Sequence, residues 1–319
     1  MTVVDVATPA ASAPVVSTFD IAVLWLIACI LLLSLLSLSF IIHLCFKSRT
    51  SRHLRRFNSL WTVRSLLILF IALWSLSELL RLPVLRHRLH LRHHHHQALL
   101  CKLHVSLSLG FLEPAFLVTI LFLVDVSVKK DINGLSAVAA TVLATCLPLL
   151  LLQILVLFFS SSSLELLGLP YKFWSSSSSV VSGDTSTVLC SYPLLSTAVF
   201  GSFAVGYSLI FLLSAWRVES LVINNALRVR IHSLAFAVLV SLPMQVVMLG
   251  TLVLLSPDDP AFGGFSLAVF LSAFTCAVVG EGILVIKPIA DSLAVWGYRY
   301  PWDPWRRQPS AAEKEEGRV

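Results

Sequence analysis

The chain has 319 residues, of which 57% are hydrophobic and only 13% are Asp, Glu, Lys or Arg, and its mean hydropathy is +0.88. Soluble domains spend about a quarter of their residues on charge, so a soluble enzyme, a nucleic-acid binder and a disordered chain are all excluded, and an integral membrane protein remains. The net charge of +6 does not bring nucleic acid back as a partner, because the basic residues lie in short loops beside apolar runs, where they set orientation in a bilayer.

A spanning helix needs about 20 largely apolar residues. Seven stretches qualify, at 21–44, 60–82, 103–124, 135–159, 192–215, 233–255 and 265–286. The first could pass for a signal peptide. Its upstream segment carries Asp5 and Asp20 without Lys or Arg, and its apolar run exceeds the roughly 7–15 residues of a signal core, so it reads as an uncleaved first helix. Arg64 and Glu78 interrupt the second run. The runs are too continuous for barrel strands, which alternate apolar and polar residues. The predicted fold is therefore all-α, a polytopic seven-transmembrane helical bundle. Its predicted organisation is an extracellular N-terminal segment (1–20), a seven-helix membrane domain (21–286), a juxtamembrane interfacial helix (287–305) and a disordered cytoplasmic tail (306–319).

With the N-terminus outside, sixteen Lys and Arg fall on the inner face and six on the outer, Arg64 being left out as intramembrane. That excess favours N-outside and C-inside. The segment from Arg81 to Lys102 runs against it. Two low-complexity pieces read as loops. One is the histidine tract His87, His90 and His93–His96; the other is the pair of Ser runs at 160–163 and 175–179. Adjacent histidines bind metal loosely at best, because a defined site needs fixed geometry and outer-shell support. After the seventh run, Lys287 and Pro288 mark the membrane exit. Ile289, Leu293 and Trp296 then recur at helical spacing, as in a helix lying on the inner surface.

Charge inside a bilayer costs about 2.5–3.5 kcal/mol at mid-helix on insertion scales and points to function. Arg64 and Glu281 each lie about six residues from the inner end of their spans, roughly 9 Å deep. They could form an ion pair that relieves both desolvation costs, or Arg64 could snorkel to the inner headgroups. Glu113, followed by Pro114, falls near the membrane middle, and Gln245, close to Pro243, reaches the same depth. A buried carboxyl without a cation favours its neutral, hydrogen-bond-donating form. Glu113 therefore reads either as a responsive group lining a central cavity or as one end of an interhelical hydrogen bond.

Cys101 and Cys190 border the outer face in this orientation, where a disulfide can persist; two free thiols are the alternative. Cys29, Cys146 and Cys276 read as small apolar fillers. Cys45 sits at the inner boundary, in a position open to palmitoylation. No H-E-x-x-H, G-x-S-x-G or P-loop pattern occurs, so no enzyme activity, cofactor or metal is expected. His43, His104 and His232 lie near span ends, His104 on the opposite face from the other two.

Seven spans with this disulfide resemble the G-protein-coupled receptor layout. The rhodopsin-like signatures do not follow: Val126 stands after Asp125 in place of arginine, the sixth span has Leu242-Pro243-Met244, and the seventh lacks N-P-x-x-Y. The segments R-F-N-S-L-W-T-V-R-S-L-L (56–67) and S-E-L-L-R-L-P (77–83) resemble the plant heptahelical proteins called candidate G-protein-coupled receptors. That resemblance covers the first two spans in sequence and the rest through topology. The tobamovirus-multiplication family is a second heptahelical resemblance. The first resemblance implies a receptor-like protein of the plasma membrane with an unknown ligand, endomembranes being the alternative location. Its partners would be the lipid bilayer and a cytosolic signalling protein, met by Lys129, Lys130, Arg217, Arg228 and Arg230 on the inner loops. A small-solute or ion transporter, with Glu113, Gln245 and Glu281 along a polar path, and a membrane scaffold are the alternative functions.

Overall fold

Backbone N–H and C=O groups in hydrocarbon must pair within their own segment, and the helix is the local solution. In the computed structural model the apolar runs are helical accordingly. The structure describes residues 18–48, 60–82, 94–126, 135–159, 177–182, 185–221, 225–255, 259 and 261–291. Helix α1 is Thr18–Ser48 and α2 is Trp61–Leu79. Helix α3 covers 94–126 in three pieces, His94–Leu107, a wide π-turn at Ser108–Leu112, and Glu113–Val126. Helix α4 runs Leu135–Ile154 and ends in a second π-turn, Leu155–Phe159. Strands β1 (Ser177–Ser182) and β2 (Thr185–Cys190) form an antiparallel hairpin in which Ser177 faces Cys190. Helices α5 (Leu194–Leu221), α6 (Asn225–Leu254) and α7 (Ala261–Asp291) follow, with a third π-turn at Gly282–Ile286. Among the described residues, seven helices are long and apolar enough to cross a membrane.

Helix α3 is the axis of the bundle. It packs against α2, α4, α5 and α7, and 78% of its most apolar window is buried, against 28–50% for the others. Around it, α1 meets both α2 and α7, and α6 lies between α5 and α7. The approach of α3 to α4 depends on Gly110: a Cβ there would stand 3.1 Å from Gln153 Cγ and 3.3 Å from the Leu150 Cα. Beside that contact, Gln153 and Ser196 lock α4 to α5, Ser196 Oγ donating to Gln153 Oε1 at 2.5 Å and Gln153 Nε2 to the Ser196 carbonyl at 3.0 Å.

Several boundaries differ from expectation. Helices α5 and α6, at 28 and 30 residues, are about 42–45 Å long and exceed the roughly 30 Å hydrocarbon core. Arg217, Arg228 and Arg230 thus lie on helices rather than in an inner loop. The histidines at 94–96 begin α3, and part of the second Ser run is β1 rather than loop. Lys287 and Pro288 do not end α7, which is helical to Asp291. In the preceding π-turn Lys287 N–H bonds the Gly282 carbonyl, five residues back, a loosened geometry that accommodates a following proline. Lys129, Lys130, His87, His90, His93, the tail 306–319 and the interfacial helix beyond Asp291 lie outside the described residues.

Candidate functional site

On α2, Trp74, Glu78 and Arg81 recur at i, i+4 and i+7 and so share one face. Cys101, His104 and Ser108, at i, i+3 and i+7, likewise share a face of α3. The two stripes meet, and all six residues are buried. Ser108 Oγ lies 3.2 Å from Glu78 Oε1 and 3.1 Å from Glu113 Oε1, so one hydroxyl joins two carboxyls. Ser108 and Glu113 are five apart, which in a regular α-helix turns them about 140° away from each other. The π-turn between them brings both to the same side.

Glu113 accepts two further bonds, from Trp74 Nε1 at 3.1 Å and from Gln245 Nε2 of α6 at 2.6 Å. The indole N–H can only donate, so Glu113 Oε1 is an acceptor for Trp74. Glu113 and Gln245 do meet at one depth, in an interhelical hydrogen bond. Beneath them, Trp74 stacks on Phe270 of α7, with centroids 5.5 Å apart and an interplanar angle of 12°, and meets Phe116 edge-on. These rings form an apolar floor under the polar residues.

At the other end Arg81 Nε and His104 Nε2 each lie 3.8 Å from Glu78, on Oε2 and Oε1 respectively. Arg81 Nη1 donates to Tyr192 Oη at 3.3 Å, His104 Nε2 is 3.4 Å from the same oxygen, and His104 Nδ1 is 3.0 Å from the Ser77 carbonyl. Burial opposes the Arg81 charge, but Tyr192 and Glu78 outweigh it and hold the guanidinium above its usual range. Burial raises the Tyr192 phenol, with Arg81 pulling the other way. Tyr192 is placed by the disulfide: Cys190, two residues earlier, is bonded to Cys101 with Cα atoms 5.3 Å apart. The β1–β2 hairpin thus packs against the start of α3, as the Cys101–Cys190 pairing requires.

A single polar chain results, from Tyr192 through Arg81, His104, Glu78 and Ser108 to Glu113 and Gln245. It draws on α2, α3, α6 and the segment after β2. Its two carboxyls, Glu78 and Glu113, face one permanent cation, Arg81. Sequence reasoning found only Glu113, Gln245 and the cysteines of this chain. Arg81 was counted as an outer-loop cation, and Glu78 was noted only as an interruption. The signal was present, since Ser77–Pro83 carries both Glu78 and Arg81 at helical spacing.

Arg64 and Glu281 are not paired. Glu281 is fully buried against α1, where Ser34 Oγ donates to its Oε2 at 3.1 Å and Ser37 adds a second bond. Arg64 instead lines a cavity of about 140 Å³ between α2, α3, α6 and α7, shared with Arg230 and with Leu284 and Pro288 of α7. In a regular helix 281, 284 and 288 would share a face. The π-turn at Gly282–Ile286 inserts one residue and turns the lower part of α7 by about 100°, so Glu281 faces α1 while Leu284 faces Arg64. This cavity is at the end of the bundle opposite the disulfide. The basic residues at that end are also partly engaged: Arg228 donates to Glu219 of α5 at 2.7 and 3.0 Å, His232 lies 2.9 Å from the same carboxylate, and Arg230 pairs with Asp291 of α7 at 2.7 Å. Arg217 is exposed.

Residues 8–300 match the protein family described as uncharacterised conserved protein UCP031277. No curated protein matches the chain. By that match, which covers most of its length, the chain belongs to the UCP031277 family.

Proposed function

We propose that this member of the family is a receptor-like signalling protein of the plasma membrane, with its N-terminus outside and its basic end meeting a cytosolic partner. The observation that carries the reading is the position of α6. At mid-helix it holds Gln245 against Glu113, and at its end it holds Arg228 and Arg230 against α5 and α7. Pro243, between these points, removes a backbone hydrogen bond and gives α6 a place to bend. A change at the disulfide-bearing end would reach Gln245 through the polar chain and loosen ion pairs that, being exposed, are worth only about 0–1 kcal/mol each. The resemblance of 56–67 and 77–83 to the plant candidate receptors supports the same reading.

The second reading is a proton-coupled transporter, favoured by the ionisable chain itself. One experiment separates them. The protein is reconstituted in nanodiscs with an environment-sensitive fluorophore on Leu227→Cys, Cys29 and Cys45 being replaced by serine. Receptor-like coupling predicts that Glu113→Gln and Gln245→Leu each shift the emission at 227. Unchanged emission, together with a pH-gradient-driven proton flux in proteoliposomes that Glu113→Gln abolishes, would favour transport.

A further inference from the structure

The cavity at the basic end has a chemistry of its own. Its volume of about 140 Å³ is many times the roughly 10–15 Å³ that holds one water. Two arginines from different helices, Arg64 of α2 and Arg230 of α6, line it, and the other lining residues are apolar, among them Leu60, Leu123 and Leu227. Arg64 Nε is buried without a hydrogen-bond partner among the described residues. An arginine donor buried and unmatched is costly, and Arg64 has no carboxylate partner among the described residues, the π-turn in α7 having turned Glu281 away. Arg230 gives one of its five donors to Asp291, leaving others available.

We propose that this cavity binds a phosphate group, with Arg64 and Arg230 as its two cationic contacts. The guanidinium fork matches phosphate oxygens in paired hydrogen bonds. Arg64 is the fourth residue of α2, about 5 Å inside its start, so the cavity lies at the level of the headgroups. Its apolar walls would take the glycerol and upper acyl carbons of a phospholipid, which a free phosphate would leave uncovered. A bound phosphate competes with Asp291 for Arg230, so occupancy weakens the contact between α6 and α7. The proposal needs no particular orientation in the membrane and stands apart from the receptor reading.

The test is native mass spectrometry of the purified full chain, titrated separately with dioleoyl phosphatidic acid, dioleoyl phosphatidylcholine and inorganic phosphate. Phosphatidic acid should bind to one saturable site, and Arg64→Gln and Arg230→Gln should each weaken it about tenfold, the scale of a lost charge-assisted hydrogen bond. Asp291→Asn should tighten it. Leu227→Trp, which fills the cavity and leaves both arginines in place, should remove binding while the melting temperature holds. Competition of inorganic phosphate at the same site identifies free phosphate as a sufficient ligand; its failure to compete identifies the lipid. Phosphatidic acid adducts that are unsaturable, equal to those of phosphatidylcholine, or unchanged in Arg64→Gln and Leu227→Trp would overturn the proposal in favour of ordinary attraction of anionic lipid to a basic surface.

Discussion

Glu113 concentrates three donors on one carboxyl, and its replacements should separate shape from chemistry. Glu113→Ala leaves Trp74 and Gln245 without an acceptor, at about 1–3 kcal/mol for each stranded group, whereas Ser108 keeps Glu78. Glu113→Gln keeps the volume and one oxygen, and Gln245 can turn its amide to suit, so its loss should be much smaller. Thermal unfolding in detergent, followed by circular dichroism, should rank them in that order. Glu78 and Arg81 behave differently because they lie 3.8 Å apart as a buried ion pair. Arg81→Leu strands a buried carboxylate and should cost about 3 kcal/mol or more, whereas adding Glu78→Gln should return much of it. For Arg64 and Glu281 the opposite holds. They face different neighbours, so Arg64→Leu and Glu281→Gln should add to within about 0.5 kcal/mol. An interaction energy well above that would put the two side chains back in contact.

At the scale of elements, the helices were legible and their phase was not. Length and apolarity locate seven spans, because hydrocarbon accepts little else. Their ends were less visible, since Arg217 and Arg228 look like loop residues until the helices prove longer than the membrane is thick. The three π-turns left no mark in composition. Each adds one residue to a turn, and two of them decide the chemistry: one gathers Ser108 and Glu113, the other separates Glu281 from Arg64. The polar chain was half visible for the same reason. Glu113 and Gln245 could be matched by depth alone, whereas His104, Glu78 and Tyr192 required the phase of α3 and the fold-back of the hairpin. Close packing sets a further test. Gly110→Ala places a methyl against Gln153 and the α4 backbone, and overpacking of this kind costs about 1–3 kcal/mol. The melting temperature should fall, and Gln153→Ala in the same chain should relieve part of the loss by making room.

For the whole molecule, orientation is the property on which most of the functional reading depends. Asp259 is exposed in the turn before α7, at the disulfide-bearing end, and Arg217 is exposed at the opposite end of α5. An impermeant maleimide applied to intact cells should therefore label Asp259→Cys directly and Arg217→Cys only after permeabilisation. The reverse pattern would invert the protein and place Cys101–Cys190 on the reducing side. Removing that bond by Cys190→Ser frees the hairpin and Tyr192 together. Closing a loop of this length is worth about 4 kcal/mol in a fully flexible chain. Insertion into the bilayer already restrains the helices, so a smaller fall in stability is expected, accompanied by faster proteolysis within 177–190.

The π-turn of α7 also bears on how this family can change over evolutionary time. Substitutions between Glu281 and Pro288 need only keep the segment apolar, so its letters can drift. The number of residues cannot. Losing or gaining one there would rotate everything beyond it, presenting a carboxylate to Arg64 or carrying Asp291 away from Arg230. Among descendants of this chain, the six residues 282–287 should vary in spelling and stay constant in number.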